Sequence, residues 1–180
     1  MNRFCVTLPL FITAAVTALS PAVAQSCSAE GTPASCSVPG LLTLTAFSVV
    51  SLQMSTTATS LASPTAADFN AGFNVSTGPT LTIAANGPWT VHIRSESALW
   101  SATNASGGAP ARLNKPAADL GWSTASNGVF SPLSIVDANL ATGAASGGNV
   151  STVFFRTAYS WTLDTPGVYT LVVILTLTSP

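Results

Sequence analysis

Apolar and polar residues alternate most regularly near the C-terminus of the chain. Two stretches, 150–163 and 168–178, each place apolar side chains at every second position, which is typical of a strand with one buried face. On the first stretch the shared face carries Val153, Phe155, Tyr159, Trp161 and Leu163. Asp164-Thr165-Pro166-Gly167 lies between the two stretches and suits a tight reversal, because proline presets its backbone angle and glycine tolerates a positive one. The pattern predicts a hairpin at the centre of an all-β core.

Similar patterns run through the chain after residue 40. The predicted strands and hairpins are 41–55, 69–75, 80–95 (a hairpin around Asn86-Gly87), 98–102 and 120–136 (a hairpin around Asn127-Gly128). The predicted loops are 56–67, which also suits a short helix, 103–118 and 137–149. Turn signals at these intervals indicate a single antiparallel β-sandwich with roughly eight or nine strands.

The N-terminal region has the features of an exported protein. Arg3, a following apolar run and Ala22-Val23-Ala24 predict a signal peptide over residues 1–24. After cleavage near Ala24 the chain would be secreted, periplasmic or at the cell surface, with no transmembrane helix in its mature part. Cys27 and Cys36 then remain as an even pair, and a disulfide between them would stabilise the segment by about 2–3 kcal/mol.

These features divide the sequence into three parts. They are a signal peptide (1–24), a disulfide-stapled N-terminal segment (25–40) and a β-sandwich domain (41–180). Three cysteines and one histidine in the whole chain also fall short of a zinc site once the leader is removed, so no metal or other cofactor is expected.

Charge is scarce along the whole chain. Charged residues make up 6% of the sequence and the net charge is −1, whereas an ordinary domain has about 25% charged residues. Without a basic patch, nucleic acid is not an expected partner. A nearly uncharged β-protein lacks the repulsion that keeps sheet edges apart, which indicates association with itself or with other surface proteins.

No set of residues matches a familiar catalytic site. His92 is the single histidine, no G-x-S-x-G motif is present, and the mature cysteines are expected to be paired. We therefore expect His92 to be an exposed structural residue on the polar face of a strand. The six carboxylates are well separated in sequence and fall in predicted loops or at strand ends, where aspartate commonly caps turns. The chain is accordingly expected not to be an enzyme.

The four tryptophans divide into two predicted groups. Trp89 and Trp161 share the parity of the apolar residues around them and are expected in the core. Trp100 and Trp122 border the 103–118 loop. They are the candidate ligand face, where a sugar ring could stack.

A short motif near the C-terminus adds a resemblance. Asp164-Thr165-Pro166-Gly167-Val168-Tyr169 resembles the D-x-G-x-Y sequence that leads into a late strand of immunoglobulin-like sandwiches, with one inserted position. The resemblance implies a structural corner of Asp164, Gly167 and Tyr169, in which the tyrosine hydroxyl bonds back to nearby backbone. No cysteine follows at the antibody spacing, which excludes an antibody-type domain. The leader and the composition are similar to those of bacterial fimbrial and surface proteins.

Together these patterns predict an exported, non-catalytic structural or surface β-sandwich that acts by self-association or attachment. In its fimbrial form, residues 25–40 would be lent to a neighbour as a strand, but they lack the alternation that this requires. One alternative is a carbohydrate- or ligand-binding module that uses Trp100, Trp122 and the 103–118 loop. A second alternative is a small outer-membrane β-barrel, because alternating strands suit that structure as well.

Overall fold

The computed structural model of the chain describes residues 28–31, 35–37, 42–104 and 111–179. The predicted signal peptide and Cys27 lie outside the described residues, so cleavage near Ala24 and the disulfide to Cys36 stay predictions. The chain divides into two compact units, Met1–Thr45 and Ala46–Pro180. The described residues of the first unit are exposed and lie in no helix or strand.

The described part of the second unit consists almost entirely of strands. The elements in chain order are β1 (Val50–Met54), α1 (Ala66–Ala71), β2 (Phe73–Ala85), β3 (Trp89–Ser95), β4 (Ser101–Asn104), a 3-10 turn (Ala117–Asp119), β5 (Leu120–Ser123), β6 (Ser131–Pro132), β7 (Ala138–Gly143), β8 (Ser146–Ala158), β9 (Gly167–Thr170) and β10 (Val173–Thr178). The prediction of an all-β chain is confirmed.

Every strand pairing in the described residues is antiparallel. The strands form a five-stranded sheet in the order β1-β2-β8-β5-β6, a three-stranded sheet in the order β10-β3-β7, and the pair β4-β9. The predicted antiparallel arrangement is therefore confirmed as well.

The core forms where strands from both larger sheets turn apolar side chains toward one another. Leu81 and Ile83 of β2, Val91 and Ile93 of β3, and Val153 of β8 are at most 1% exposed and belong to one cluster. They alternate with half-buried polar residues, as the period of two requires. Burying each such side chain contributes roughly 1.5–3 kcal/mol before the entropy of ordering is counted.

The predicted hairpin over residues 80–95 is wrong in its pairing, although both strands form. β2 pairs with β1 and β8, whereas β3 pairs with β7 and β10. The turn at Asn86 therefore carries the chain from one sheet into the other. The Asn86 side chain accepts a hydrogen bond from the Val49 amide at 2.8 Å and donates one to the Phe47 carbonyl at 2.7 Å, so it fixes this turn against the residues before β1.

The predicted C-terminal hairpin is wrong for a similar reason. β8 pairs with β2 and β5, while β9 pairs with β4 and β10 pairs with β3. The strand stops because the backbone of Ser160 and Asp164 closes a turn, in which the Asp164 amide donates to the Ser160 carbonyl at 3.0 Å. Trp161 and Leu163 lie in this turn and are 61% and 54% exposed, so they leave the predicted apolar face.

Other predicted elements differ in extent or type. The hairpin over 120–136 is confirmed by the pairing of β5 with β6, whereas the predicted loop at 137–149 is wrong because it contains β7 and the start of β8. The stretch 69–75 is divided between α1 and β2. A capping box between Thr65 and Asp68 starts α1, and Gly72 ends it at φ 79°.

Candidate functional site

Four charged side chains converge where residues 111–119 meet the turn after β8. The Lys115 Nζ atom lies 2.8 Å from Asp164 Oδ1, 3.2 Å from Asp119 Oδ2 and 2.9 Å from the carbonyl oxygen of Ala158. The Arg112 Nη1 atom lies 3.1 Å from the same oxygen of each carboxylate. The side chains of Lys115 and Asp164 are only 3% and 7% exposed. Because two cations meet two carboxylates, this ion cluster is formally neutral.

Local structure presents each carboxylate to the cations. Pro116 precedes the single 3-10 turn that carries Asp119, and the fixed backbone angle of proline suits the start of such a turn. Lys115 and Asp119 thereby come together across four residues. In the turn after β8, the Ser160 amide donates to Asp164 Oδ2 at 2.8 Å, which leaves Oδ1 to face Lys115 and Arg112.

The environment of Asp164 favours its ionised form. Burial alone would raise the pKa of this carboxyl, but the hydrogen bond and charge of Lys115, with the bonds from Ser160 and Arg112, outweigh burial and leave the pKa below its usual range. A general acid at neutral pH needs the opposite shift. The cluster is thus built to hold two segments of the chain together by charge.

The residues of the Asp164–Tyr169 motif lie beside the ion cluster. The Tyr169 hydroxyl donates to the Thr165 carbonyl at 2.7 Å and accepts from the Arg112 amide at 3.0 Å. At Gly167, a Cβ atom would lie 2.7 Å from the Cβ of Ala111, so only glycine allows β9 to approach this segment so closely. Together with Asp164, these residues tie the start of β9 to the chain after residue 110.

The predicted ligand face of Trp100 and Trp122 is not formed, because both rings are buried in the core at 7% and 9% exposure. The Trp100 Nε1 atom donates to the Pro116 carbonyl at 3.1 Å. Trp100 also lines a surface depression of about 270 Å³. The predicted exposed loop at 103–118 is also wrong for its described residues 111–118, since Ala111, Lys115 and Ala117 are buried beside the ion cluster.

His92 lies in the middle of β3, half-buried and paired across the sheet with Asn139 of β7 and Thr176 of β10. The His92 side chain makes no hydrogen bond or ion pair within the described residues. Because its side chain is half-buried, His92 is less exposed than expected. Its register neighbours are polar and uncharged.

Trp161, expected in the core, instead belongs to an aromatic cluster at the surface. Its indole stacks on Phe69 of α1 with ring centroids 4.6 Å apart, and its Nε1 atom donates to Asn70 Oδ1 at 3.1 Å. Tyr159 packs against the same phenylalanine at 5.4 Å. The Thr65-x-x-Asp68 capping signature could have revealed α1 from the sequence, but nothing local connects that helix to a residue 91 positions away.

One edge strand of the five-stranded sheet, β1, lies near one edge strand of the three-stranded sheet, β10. Within the described residues β1 pairs only with β2, and β10 pairs only with β3; β1 and β10 are close in space. Alternate side chains of β1 and β10 are incompletely covered: Val50 and Met54 are more than two-fifths exposed, and Val173, Leu175 and Leu177 are only partly buried against the core. We call this line between the two strands the β1–β10 seam.

The structure offers no metal site or membrane-spanning helix among its described residues, and similarity to known proteins identifies no family. Within the described ranges, no three potential metal-ligating side chains converge, and no helix has the length and apolar character to cross a membrane. No protein-family model matches the chain, and no curated protein is significantly similar to it. The described residues form an antiparallel all-β protein with three notable features: a buried ion cluster, an exposed aromatic cluster and the incompletely covered β1–β10 seam.

Proposed function

We propose that this chain is an exported, non-catalytic structural or surface protein, built as an immunoglobulin-like β-sandwich, that self-associates along the β1–β10 seam. The observation that carries the proposal is the pair of neighbouring edge strands whose apolar rows are incompletely covered. The sandwich is supported by the single core that both larger sheets share. The immunoglobulin-like character is supported by the Tyr169 hydroxyl bond to the backbone.

Addition of a strand at the β1–β10 seam would pair its free backbone groups and cover its apolar side chains. An edge strand presents backbone N–H and C=O groups that have no partner in the sheet, and another chain can pair with them. A strand with alternating apolar residues would also cover the apolar rows of β1 and β10. The scarcity of charge, 6% of residues, removes the repulsion that usually keeps such edges apart.

A second copy of the chain offers a suitable strand in residues 42–46, which precede the residues that Asn86 binds. These residues lie in no helix or strand, and the side chains of Leu42 and Leu44 are 98% and 92% exposed. Leu42 and Leu44 also alternate with threonines, as a half-buried strand would require. The segment therefore supplies the alternation that residues 25–40 lack.

The polar clusters support a non-catalytic role. Asp164 and Asp119 are both paired with Lys115 and Arg112, which leaves neither carboxylate free to exchange protons with a substrate. An ion cluster of this kind would stabilise the fold of an exported structural protein.

Light scattering coupled to size exclusion, over a concentration series, tests the proposal. We expect oligomers whose size grows with concentration, and Val50→Lys should shift them toward monomers because a lysine on an edge strand disfavours pairing. Val129→Lys is the matched control, since Val129 is 92% exposed but lies in the turn between β5 and β6. A wild-type protein that stays monomeric at high concentration would contradict self-association.

Export is tested separately by cell fractionation. We expect the chain outside the cytoplasm, with its N-terminus near Gln25 when sequenced from the purified protein. A full-length cytoplasmic chain would overturn this part of the proposal and leave the self-association experiment unaffected.

A further inference from the structure

We propose that Trp161, held by Phe69 and Asn70, is a binding site for a neutral polysaccharide, with the indole stacked on the apolar face of a sugar ring. The proposal does not depend on self-association, because it rests on a different part of the surface. Three features carry it: the exposure of this ring, the way in which it is held, and the uncharged hydrogen-bonding groups beside it.

The exposure of Trp161 is unusual within this chain. It is 61% exposed, while Trp89, Trp100 and Trp122 are at most 9% exposed. Tryptophan offers the largest apolar area of any side chain. It is normally buried within the protein, unless it is exposed in order to contact a partner. An indole left open in a folded β-protein is therefore a candidate contact for a ligand.

The exposed ring is also held in one orientation. Phe69 stacks on it with an interplanar angle of 29°, and the Nε1–H group is fixed by the Asn70 side chain. Phe69 and Asn70 belong to α1, whose first turn is closed by the reciprocal bonds of Thr65 and Asp68. Since Phe69 stacks on one face of the indole, the opposite face is the one on which a sugar ring could stack. A ligand that binds there loses little entropy in ordering the site.

The chemistry around the ring favours an uncharged ligand. Asn70, Ser160 and Thr162 supply an amide and two hydroxyl groups, which are suitable partners for sugar hydroxyls. The basic residues of the described chain are all engaged elsewhere: Arg112 and Lys115 in the ion cluster, Arg94 with Asp137, and Arg156 over the rings of Phe73 and Phe130. A nucleic acid would also stack on an indole, but its phosphates would find no cation here.

Binding of the full-length protein to insoluble cellulose and chitin, and to cellohexaose and chitohexaose in solution, tests the proposal. We expect binding to at least one of these neutral glycans, with a blue shift of tryptophan fluorescence, since Trp161 is the exposed emitter. Trp161→Ala should weaken binding at least tenfold and Trp161→Phe less. Asn70→Ala should weaken it a few-fold by freeing the ring.

The matched control is Leu163→Ala, because Leu163 lies in the same turn and is 54% exposed but takes no part in the stack. It should change binding less than twofold, and thermal unfolding should show that all variants fold. The proposal would be overturned if the wild type bound none of the four glycans. It would also be overturned if Trp161→Ala bound them as tightly as the wild type. Binding only to an anionic polymer such as polygalacturonate would overturn it too. So would a change of oligomeric state in Trp161→Ala without glycan binding, which would assign the ring to a protein contact.

Discussion

The apolar core of β2, β3 and β8 and the ion cluster beside Tyr169 are two buried regions of one unit, but they are held by opposite interactions. In the core, residues such as Ile83 and Val91 exclude water through non-directional packing. In the ion cluster, Lys115 is as deeply buried as the core residues, yet its contacts are charged hydrogen bonds of 2.8–3.2 Å.

The difference determines how each region responds to damage. A core residue can be shortened and the loss is limited to its own packing and the cavity left behind. An ion cluster loses more than the deleted contacts, because the remaining charges stay buried without compensation. We therefore expect the larger single effect in the smaller and more polar region.

The largest expected effect is that of Lys115→Met. The substitution leaves Asp119 and Asp164 with Arg112 as their single cation, so the free energy of unfolding at neutral pH should fall by about 3–5 kcal/mol. Urea denaturation followed by circular dichroism measures this change. The double variant Lys115→Met/Asp164→Leu is the control, and it should recover much of the loss because the uncompensated carboxylate is removed as well. Equal losses in the single and double variants would contradict a charge-based role.

A somewhat smaller effect is expected from Ile83→Ala in the core. Ile83 is completely buried, and removing its methyl and methylene groups should cost about 3 kcal/mol through lost transfer free energy and a residual cavity. The same urea experiment measures it, and the loss should be similar at low and neutral pH because no charge is involved. Val150→Ala is the matched control, since Val150 lies in β8 but is 64% exposed; it should change stability by less than about 0.5 kcal/mol.

The two regions also differ in what the sequence could reveal. The alternation around Ile83 and Val91 is local, so strands and buried faces were predicted correctly there. Their partners were not, because Ala85-Asn86-Gly87-Pro88 suits a tight hairpin and a crossing between sheets equally well. The side chain of Asn86 decides the matter through bonds to residues 47 and 49, which are too distant in sequence for turn rules to detect.

Local reasoning could reach only part of the ion cluster. Lysine is almost never buried unless it is paired. Asp119 is four residues from Lys115, but the more deeply buried partner, Asp164, is 49 residues away. A segment with glycines and prolines was therefore interpreted as an exposed loop. Trp161 is the opposite case, a residue predicted to be buried that is exposed. Its parity indicates the core, but the side chain and backbone of Asp164 stabilise a turn that places Trp161 at the surface. Composition and period predict the fold class; long-range polar contacts determine the candidate sites.

A smaller effect is expected when the corner beside the ion cluster loses one hydroxyl. Tyr169→Phe removes the donor to Thr165 and the acceptor of the Arg112 amide, while the ring still packs. The free energy of unfolding should fall by about 1–2 kcal/mol, as for a lost hydrogen bond that leaves a part-buried partner unsatisfied. Tyr159→Phe is a control that deletes a hydroxyl from the other tyrosine. An unchanged stability in Tyr169→Phe would show that the corner contributes by packing alone.

The smallest expected effect is that of acid on the ion cluster, because protonation removes the charge of Asp164 but leaves its side chain in place. The pKa of Asp164 is lower in the folded chain than in the unfolded chain. The unfolded state therefore takes up a proton first as the pH falls, and stability that is fully present above the ordinary aspartate pKa is lost as the pH drops through the folded value. Urea midpoints measured from neutral pH down to about 3, below the ordinary aspartate pKa, should decline more steeply in the wild type than in Lys115→Met/Asp164→Leu. Parallel declines would assign the acid sensitivity to carboxylates outside the ion cluster, such as Asp68, whose bonds to the Thr65 backbone and side chain also lower its pKa.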